Sequence, residues 1–207
     1  MSDKIRIAVL VSGGGTNLQA LIDAQAAGVI TSGEIALVVS NKSGVYALER
    51  AAWAGIPAET VTRKASGGTQ EGFEQALLAV LERHRIDLVV LAGFLSILSA
   101  GFIRKYENRI INVHPSLIPS FCGKGYYGLK VHESALAYGV KVTGATVHLV
   151  NEILDGGRIL LQKAVDILPG DTAEVLQKRV MEQAEWKLLP RATELVAHQL
   201  LEEKTHD

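Results

Sequence analysis

The feature that most constrains the fold is an apolar run close to the start of the chain. Residues 5–11 read IRIAVLV, rich in β-branched side chains and without the strict alternation of a half-exposed strand. Such a run is typical of a strand buried on both faces, as in parallel sheets covered by helices. Residues 34–40 (EIALVVS) and 87–93 (DLVVLAG) have the same character. The sequence therefore predicts an α/β fold on a mostly parallel sheet.

Segments with helical spacing separate these strands. Apolar residues recur at intervals of three and four over residues 18–28, 45–54 and 70–84. A strand–helix alternation of this kind predicts a Rossmann-like open sheet with helices on both faces.

The C-terminal part departs from the alternation. Residues 141–150 (KVTGATVHLV) alternate as a strand, and residues 158–166 are predicted to be their antiparallel hairpin partner. A long last helix is expected to begin at Thr172 and to kink or break at Pro190. Its predicted buried residues are Val175, Leu176, Val180 and Leu188.

Composition narrows the range of partners. The chain has 207 residues, is 48% hydrophobic and carries a net charge of −1, which favours a single domain without bulk attraction to nucleic acid or membranes. Its single cysteine, Cys122, excludes an internal disulfide and a cysteine-based zinc site. Neither a signal peptide over Ser2 to Arg6 nor a membrane span is indicated. We expect a cytoplasmic protein, monomer or homodimer, that acts on small molecules.

A glycine-rich turn follows the first predicted strand. Ser12, Gly13, Gly14, Gly15, Thr16 and Asn17 join that strand to a helix. Bare backbone N–H groups and the helix dipole make such a turn an anion site. The turn lacks the lysine of a P-loop and the spacing of a dinucleotide fingerprint. The alternative is a tight turn in which Thr16 or Asn17 caps the helix.

A second candidate site lies in residues 112–119 (NVHPSLIP). Asn112 and His114 are two residues apart at the end of a predicted strand, so their side chains lie on one side of it. Ligands bind at this end of open α/β sheets, and Pro115 restricts His114 to an extended backbone. The alternative is that both side chains only cap the strand end.

Asp155, in the glycine-flanked turn of residues 151–157, completes a possible constellation. If Asp155 meets His114, the carboxylate favours the protonated imidazole. Asn112 would then be an oxyanion donor, His114 a general acid or base, and Asp155 its orienter. No nucleophile elbow is present, which favours direct attack on a carbonyl without a covalent enzyme intermediate. Metal binding by His114, His132 and His148 competes with this hypothesis, although no H-E-x-x-H motif or cysteine pair supports it.

The motifs resemble those of phosphoribosylglycinamide formyltransferases, folate-dependent enzymes of purine synthesis. The resemblance covers residues 112–119, 144–150 (GATVHLV) and 154–157 (LDGG), and extends to residues 11–20 (VSGGGTNLQA) and 91–98 (LAGFLSIL). The HPSL and LDGG motifs belong to the wider formyltransferase superfamily. The SGGGTN turn points to the member that acts on glycinamide ribonucleotide.

The resemblance implies roles by position. Asn112 contacts the formyl oxygen, His114 donates a proton and Asp155 raises the pKa of His114. The cosubstrate is 10-formyltetrahydrofolate, with no metal. The implied glycinamide ribonucleotide contacts are Gly13, Gly14, Gly15, Thr16, Asn17 and Glu185. The implied folate contacts are Gln70, Leu95, Ser96, Ile97, Leu98, Asn112, Asn151 and Asp155. Residues 1–105 would form the nucleotide-binding half of the domain, and residues 106–207 the folate and catalytic half.

Three positions depart from the family pattern. Ser96 and Gln70 stand where basic residues are common, and Arg63 or Lys64 is the candidate replacement for the contact at Gln70. Cys122 replaces a common proline.

Three alternative functions each predict a further feature of the chain. Methionyl-tRNA formyltransferase is expected to have a further C-terminal domain and a basic surface, and formyltetrahydrofolate deformylase an extra N-terminal domain. A non-catalytic nucleotide-binding regulator would have no need of Asn112, His114 and Asp155.

Overall fold

The computed structural model describes residues 4–206. The ends of the predicted domain of residues 1–207 lie outside this range, as do Ser2 and Asp3 of the segment in which no signal peptide is predicted. The elements are β1 Ile5–Val11, α1 Thr16–Ala26, β2 Gly33–Ser40, α2 Tyr46–Trp53, β3 Ala58–Thr60, α3 Gln70–Arg83, β4 Leu88–Leu91, α4 Ala100–Lys105, β5 Ile110–His114, α5 Leu129–Tyr138, β6 Val142–Leu149, β7 Ile159–Asp166, α6 Ala173–Val180, a π-helical turn Met181–Glu185 and α7 Trp186–His206.

The strands form a sheet in the order β3-β2-β1-β4-β5-β6-β7. The pairs from β3 to β5 are parallel, whereas β6 runs antiparallel to β5 and β7 antiparallel to β6. The predicted fold class and the predicted C-terminal strand pair are both confirmed. The order reverses its direction at β1 and β4, which makes the carboxyl ends of these two strands the expected place for ligands.

The burial of β1 explains its composition. Ile5, Ile7, Val9 and Val11 face a core formed with α1, α2, α6 and α7. On the opposite face Ala8 and Leu10 pack with α3 and α4. Because helices cover both faces, no position in the middle of β1 is left for a polar side chain, and the apolar run carries no alternation.

The last helical segment differs from the prediction in two respects. Thr172 caps α6 and Leu176, Val180 and Leu188 are buried, as expected, but Val175 is 49% exposed. Successive helical residues are about 100° apart, so Val175 cannot share the buried face that Leu176 occupies.

The predicted break at Pro190 was also wrong, while the predicted kink stays a prediction. The regular helix α7 continues through Pro190, and the irregularity is the π-helical turn Met181–Glu185 just before it. Pro190 is the fifth residue of α7, close to a junction where regular bonding is already interrupted, so its missing N–H costs little there. Throughout residues 4–206, no helix has both the length and the apolar composition that a bilayer crossing requires.

Gly144 provides a test of the sheet that carries the site. A Cβ atom at Gly144, in the middle of β6, would lie 2.0 Å from the Lys163 carbonyl oxygen and 2.9 Å from Leu117 Cδ2. We expect Gly144→Ala to lower the free energy of unfolding by about 2–3 kcal/mol, because β6 and β7 must move apart. Chemical denaturation measures this. Gly101→Ala in α4, whose added Cβ would meet nothing nearer than 3.6 Å, is the control and should not destabilise. Equal stability of the two variants would contradict the packing described.

Candidate active site

The loops that follow β1, β4 and β5 open into one cleft of about 660 Å³. The first two loops are joined, because the Leu95 N–H donates to Ser12 Oγ at 2.9 Å. The sequence-predicted site residues that line the cleft are Asn17, Leu95, Ser96, Ile97, Leu98, Asn112, His114, Asn151, Asp155 and Glu185. Gly13, Gly14, Gly15, Thr16 and Gln70 lie beside the cleft rather than in its lining.

His114 and Asp155 come together in the cleft. His114 Nδ1 lies 3.6 Å from Asp155 Oδ2, and both side chains are more than nine-tenths buried. The other ring nitrogen, His114 Nε2, is 2.9 Å from the carbonyl oxygen of Phe121. A carbonyl oxygen only accepts, so Nε2 donates and Nδ1 is the ring atom that faces the carboxylate. A proton added to Nδ1 would therefore lie against Asp155.

Asp155 is held by its surroundings as an ionised acceptor. Its carboxylate accepts the Gly123 N–H at 2.8 Å and lies 3.7 Å from His148 Nε2. Burial raises the pKa of Asp155, but the His148 ring, the charge of His114 and the Gly123 N–H outweigh that effect and leave the pKa below its usual value. The site therefore presents a negative charge to two imidazole rings.

The turn that carries Asp155 is closed by its own residues. Asn151 Oδ1 accepts the Ile153 N–H at 3.0 Å, and Asn151 Nδ2 donates to the Gly156 carbonyl. A Cβ atom at Gly157 would lie 1.7 Å from the Leu149 carbonyl oxygen, so glycine is required where the turn meets the end of β6. These contacts fix where the Asp155 carboxylate points.

His148, which the sequence offered only as a possible metal ligand, lies in the site beside Asn112. The β5–β6 register places it opposite Asn112, and Asn112 Nδ2 lies 3.3 Å from His148 Nε2. The alternation of residues 141–150 put Thr146 and His148 on one face of a strand, but no local signal pairs that strand with β5. The antiparallel register is the missing information.

The opposite end of the cleft is polar and joins two distant elements. Asn17 Nδ2, in the first turn of α1, donates to Glu185 Oε2 at 2.8 Å, and Asn17 Oδ1 is buried with no partner in the described part of the chain. Burial raises the pKa of Glu185, a shift that the Asn17 hydrogen bond only partly opposes. The π-helical turn supplies Glu185, in keeping with the frequent occurrence of such turns at functional sites.

The glycine-rich turn lies next to this pair. The interpretation that Thr16 or Asn17 caps α1 was wrong: Gly15 precedes the helix at φ 74° and no side chain caps it. The Asn17 side chain bonds to Glu185 instead. The carbonyl oxygens of Gly13 and Gly14 accept from the Ala47 N–H and Arg50 Nε of α2. The uncapped N–H groups of the first turn are open to an anion.

The segment after β4 gives the cleft an apolar wall. Leu95 and Ile97 are more than half exposed and line the cleft, whereas Leu98 is buried beneath them. Ser96 Oγ accepts from Asn41 Nδ2 at 2.7 Å. Exposed apolar side chains of this size indicate a surface that a flat ligand covers.

Gln70 supports that wall from behind. Its Nε2 donates to the Ile97 carbonyl at 2.9 Å and to the buried Glu74, which also accepts the Ser99 N–H at 2.7 Å. Arg63 donates to Gln70 Oε1, so this cation lies beside Gln70. In Cys122, near the other side of the cleft, burial and the charge of Asp155 raise the pKa of the thiol.

His132 is the second histidine that the sequence offered only as a possible metal ligand. It is fully buried and borders the cleft, and among residues 4–206 neither ring nitrogen has a hydrogen-bond partner. Burial and the charge of His114 lower the pKa of His132 to about 4, so it is neutral at pH 7. In the part of the chain that the structure describes, no group of three or more histidine, cysteine, aspartate or glutamate side chains is arranged to hold a metal ion.

Comparisons with known proteins agree on one family. The family described as Formyl transferase matches residues 5–193. The trifunctional purine biosynthetic protein adenosine-3 of Homo sapiens is 47% identical over 194 residues, which are 94% of this chain and 18% of that protein. The chloroplastic phosphoribosylglycinamide formyltransferase of Arabidopsis thaliana is 40% identical over 179 residues, 86% of this chain and 61% of that protein. The chain thus spans less than a fifth of the human relative.

Solved structures share the fold over nearly their whole length. Glycinamide ribonucleotide transformylase 1 from Symbiobacterium toebii superimposes with a TM-score of 0.89 at 41% identity, covering 96% of this chain and 90% of that one. Phosphoribosylglycinamide formyltransferase from Brucella melitensis gives a TM-score of 0.85 at 42% identity, covering 94% and 96%.

The buried His132 predicts a component of acid sensitivity. The pKa of His132 is about 4 in the folded protein, against about 6.5 for an ordinary histidine. Between these pH values the unfolded chain therefore binds a proton at His132 and the folded protein does not. Stability is therefore lost as the pH falls through this window. Between pH 7 and pH 5, we expect the free energy of unfolding of the native protein to fall by about 2 kcal/mol more than that of His132→Gln.

Urea denaturation at the two pH values measures this difference. His198→Gln, at a histidine whose side chain is 60% exposed, is the matched control and should lose as much stability as the native protein. An equal loss in the native protein and His132→Gln would show that His132 takes up a proton in the folded state.

Proposed function

The chain belongs to the formyl transferase family, and from this premise we propose that it transfers the formyl group of 10-formyltetrahydrofolate to the amine of glycinamide ribonucleotide. The names of the Arabidopsis relative and of the solved structures support this substrate. The observation that carries the proposal is the buried His114–Asp155 pair, which shares one cleft with the Asn112 amide. We expect small-molecule partners only and a cytoplasmic location, although the plant relative is named chloroplastic.

The substrate phosphate is assigned to the glycine-rich turn. The backbone requires glycine at position 15, because the φ angle there is +74° and a Cβ atom would lie 2.7 Å from Ala47 Cβ. Gly13 and Gly14 have no such requirement: their φ angles are ordinary and an added Cβ would meet nothing within 4 Å. Close approach of a ligand to the backbone would account for these two glycines, which supports an anion beside the start of α1.

The ribose is assigned to the pair at the polar end. Asn17 Oδ1 is a buried acceptor with no partner among the residues that the structure describes, and Glu185 has a second carboxyl oxygen beside it. Sugar hydroxyls supply the donors that such acceptors lack. Phosphate at the turn and ribose at this pair direct the rest of the substrate, with its amine, along the cleft toward His114.

The folate is assigned to the apolar half of the cleft. Leu95 and Ile97 on one side, and Ile153 and Leu154 of the Asp155 turn on the other, expose apolar side chains to the same space. A flat pterin fits between two such walls, with the backbone groups of both segments as hydrogen-bond partners. Arg63 lies beside Gln70 at the rim, in reach of an anionic tail of the cosubstrate.

The chemistry follows from these positions. The uncharged substrate amine attacks the formyl carbon, and the carbonyl oxygen becomes an oxyanion to which the Asn112 amide donates, a contact worth about 3 kcal/mol. The new nitrogen–carbon bond forms and the bond from carbon to folate N10 breaks. The amine loses one proton and N10 gains one, with His114 as the proton carrier and Asp155 stabilising its charged form. No covalent enzyme intermediate is needed.

The first test measures transfer and the roles of the pair together. Formyl transfer to glycinamide ribonucleotide should be seen by the absorbance change of the folate, with no comparable transfer to water or to methionyl-tRNA. We expect His114→Ala and Asp155→Asn to lower kcat at least ~100-fold while the Kd of a folate analogue changes less than ~3-fold, because proton transfer is lost and the apolar walls remain. Native turnover in either variant would contradict the roles, and preferred transfer to another acceptor would contradict the substrate.

The second test addresses the glycine-rich turn. The double variant Gly13→Ala/Gly14→Ala should keep the free energy of unfolding of the native protein and raise the KM for glycinamide ribonucleotide at least ~10-fold, since the added methyl groups occupy the space of the phosphate. Gly15→Ala is the contrasting variant, in which backbone strain and the Ala47 contact lower stability. An unchanged KM in the double variant would remove the phosphate from this turn.

A further inference from the structure

We propose that His148 is a positioning residue that sets the orientation of the Asn112 side-chain amide, so that a hydrogen of Nδ2 points at the developing oxyanion. This inference rests on the proposed function for the identity of the oxyanion, but the contact itself is independent of it. His148 is 2% exposed and borders the cleft beside Asn112.

The first step is the tautomer of His148. Its Nδ1 atom lies 2.9 Å from the carbonyl oxygen of Leu149, the next residue in the chain. A carbonyl oxygen only accepts, so Nδ1 carries a hydrogen. In the neutral ring the second nitrogen, Nε2, then has a free lone pair and acts as an acceptor.

The lone pair of His148 Nε2 has the Asn112 amide as its partner. Asn112 Nδ2 lies 3.3 Å from His148 Nε2, and it donates one of its two hydrogens there. If the Asn112 amide rotated by 180°, its oxygen would face the same lone pair and the two acceptors would repel each other. The locked ring therefore selects one of the two amide orientations, and the second Nδ2 hydrogen stays available for the substrate.

The third step is the rigidity of the contact. Asn112 and His148 are direct partners in the antiparallel β5–β6 register, so the distance between their backbones is set by the sheet. The ring is 2% exposed, so Nε2 is shielded from bulk solvent. A donor held before the reaction costs no reorganisation when the charge develops.

The nearby carboxylate defines the alternative. Asp155 Oδ1 lies 3.7 Å from His148 Nε2, beyond hydrogen-bond distance, and Asp155 Oδ2 accepts the Gly123 N–H and faces His114. If His148 were charged, its Nε2–H would turn to Asp155 and would no longer accept from Asn112. A charged ring would account for the part that His148 plays in lowering the pKa of Asp155. The distances favour the other state, because Nε2 lies 3.3 Å from Asn112 Nδ2 and 3.7 Å from Asp155 Oδ1. The ring is thus either a neutral acceptor for Asn112 or a charged partner of Asp155, and our proposal requires the neutral acceptor.

Two substitutions separate a positioning role from a structural one. His148→Gln places an amide oxygen near the former Nε2 position and can still accept from Asn112, whereas His148→Asn is too short to reach it. We expect His148→Asn to lower kcat ~10–100-fold with both KM values within ~3-fold, and His148→Gln to retain at least ~10-fold more kcat than His148→Asn.

A double-mutant cycle shows which residue His148 acts through. In an Asn112→Ala background, His148→Asn should change kcat by less than ~3-fold, because the amide that it orients is already gone. Multiplicative effects of the two substitutions, or equal kcat values for His148→Gln and His148→Asn, would overturn the proposal. Circular dichroism and thermal unfolding confirm that each variant is folded.

Nitrogen-15 NMR of the histidine rings tests the proposal without catalysis. In the native protein at pH 7.5 we expect His148 to be neutral with its proton on Nδ1, and its Nε2 resonance to shift when Asn112 is replaced by alanine. A proton on Nε2, alone or in a charged ring, would overturn the proposal even if the enzyme is active. If native protein does not formylate glycinamide ribonucleotide, the proposed function fails, and the NMR result still decides the orientation of the amide.

Discussion

The buried carboxylate of Asp155 is the interaction on which the site depends. It lies 3.6 Å from His114 Nδ1 and 3.7 Å from His148 Nε2, and it accepts the Gly123 N–H. A carboxylate in an apolar interior is costly unless such partners surround it. His114 and Gly123 come from β5 and from the loop after it, whereas Asp155 follows β6, so this one charge joins segments that are distant in the sequence.

The sheet determines how the rest of the cleft is arranged. Because β1 and β4 are neighbours at the point where the strand order reverses, the glycine-rich turn and the apolar segment after β4 meet in front of β5. The Leu95 N–H bond to Ser12 Oγ joins these loops, and Glu74 anchors the second one through Ser99. The cleft therefore has one polar and one apolar end, and the His114–Asp155 pair lies between them.

Much of the fold and several site residues were predictable, because the sequence patterns that indicate them are local. The apolar run of β1, the helical spacing of α3 and the strand pair β6–β7 are written in short windows of sequence. The glycine-rich turn, Asn112, His114 and Asp155 were found from residue type and neighbours, and the assignment of Glu185 came from family resemblance. The fold class was confirmed, while the roles of the site residues stay predictions.

The parts that were missed depend on long-range geometry. His148 joins the site only through the β5–β6 register, and His132 only because α5 packs against the cleft. The predicted burial of Val175 was a local error, because Val175 and Leu176 cannot share one face of a helix. The predicted break at Pro190 was wrong because the irregularity is a π-helical turn before it, which no local pattern announces. Gln70 lies behind the wall of the cleft, a position that depends on how α3 packs against the segment after β4.

The most direct test of the account is a crystal structure of the protein with glycinamide ribonucleotide and an unreactive folate analogue. We expect phosphate at the backbone of Gly13 to Thr16, and the substrate amine and the formyl position of the analogue within hydrogen-bond distance of His114 and Asn112. Both ligands bound in this cleft with the reacting atoms more than ~6 Å from these two side chains, or the phosphate bound elsewhere, would contradict it.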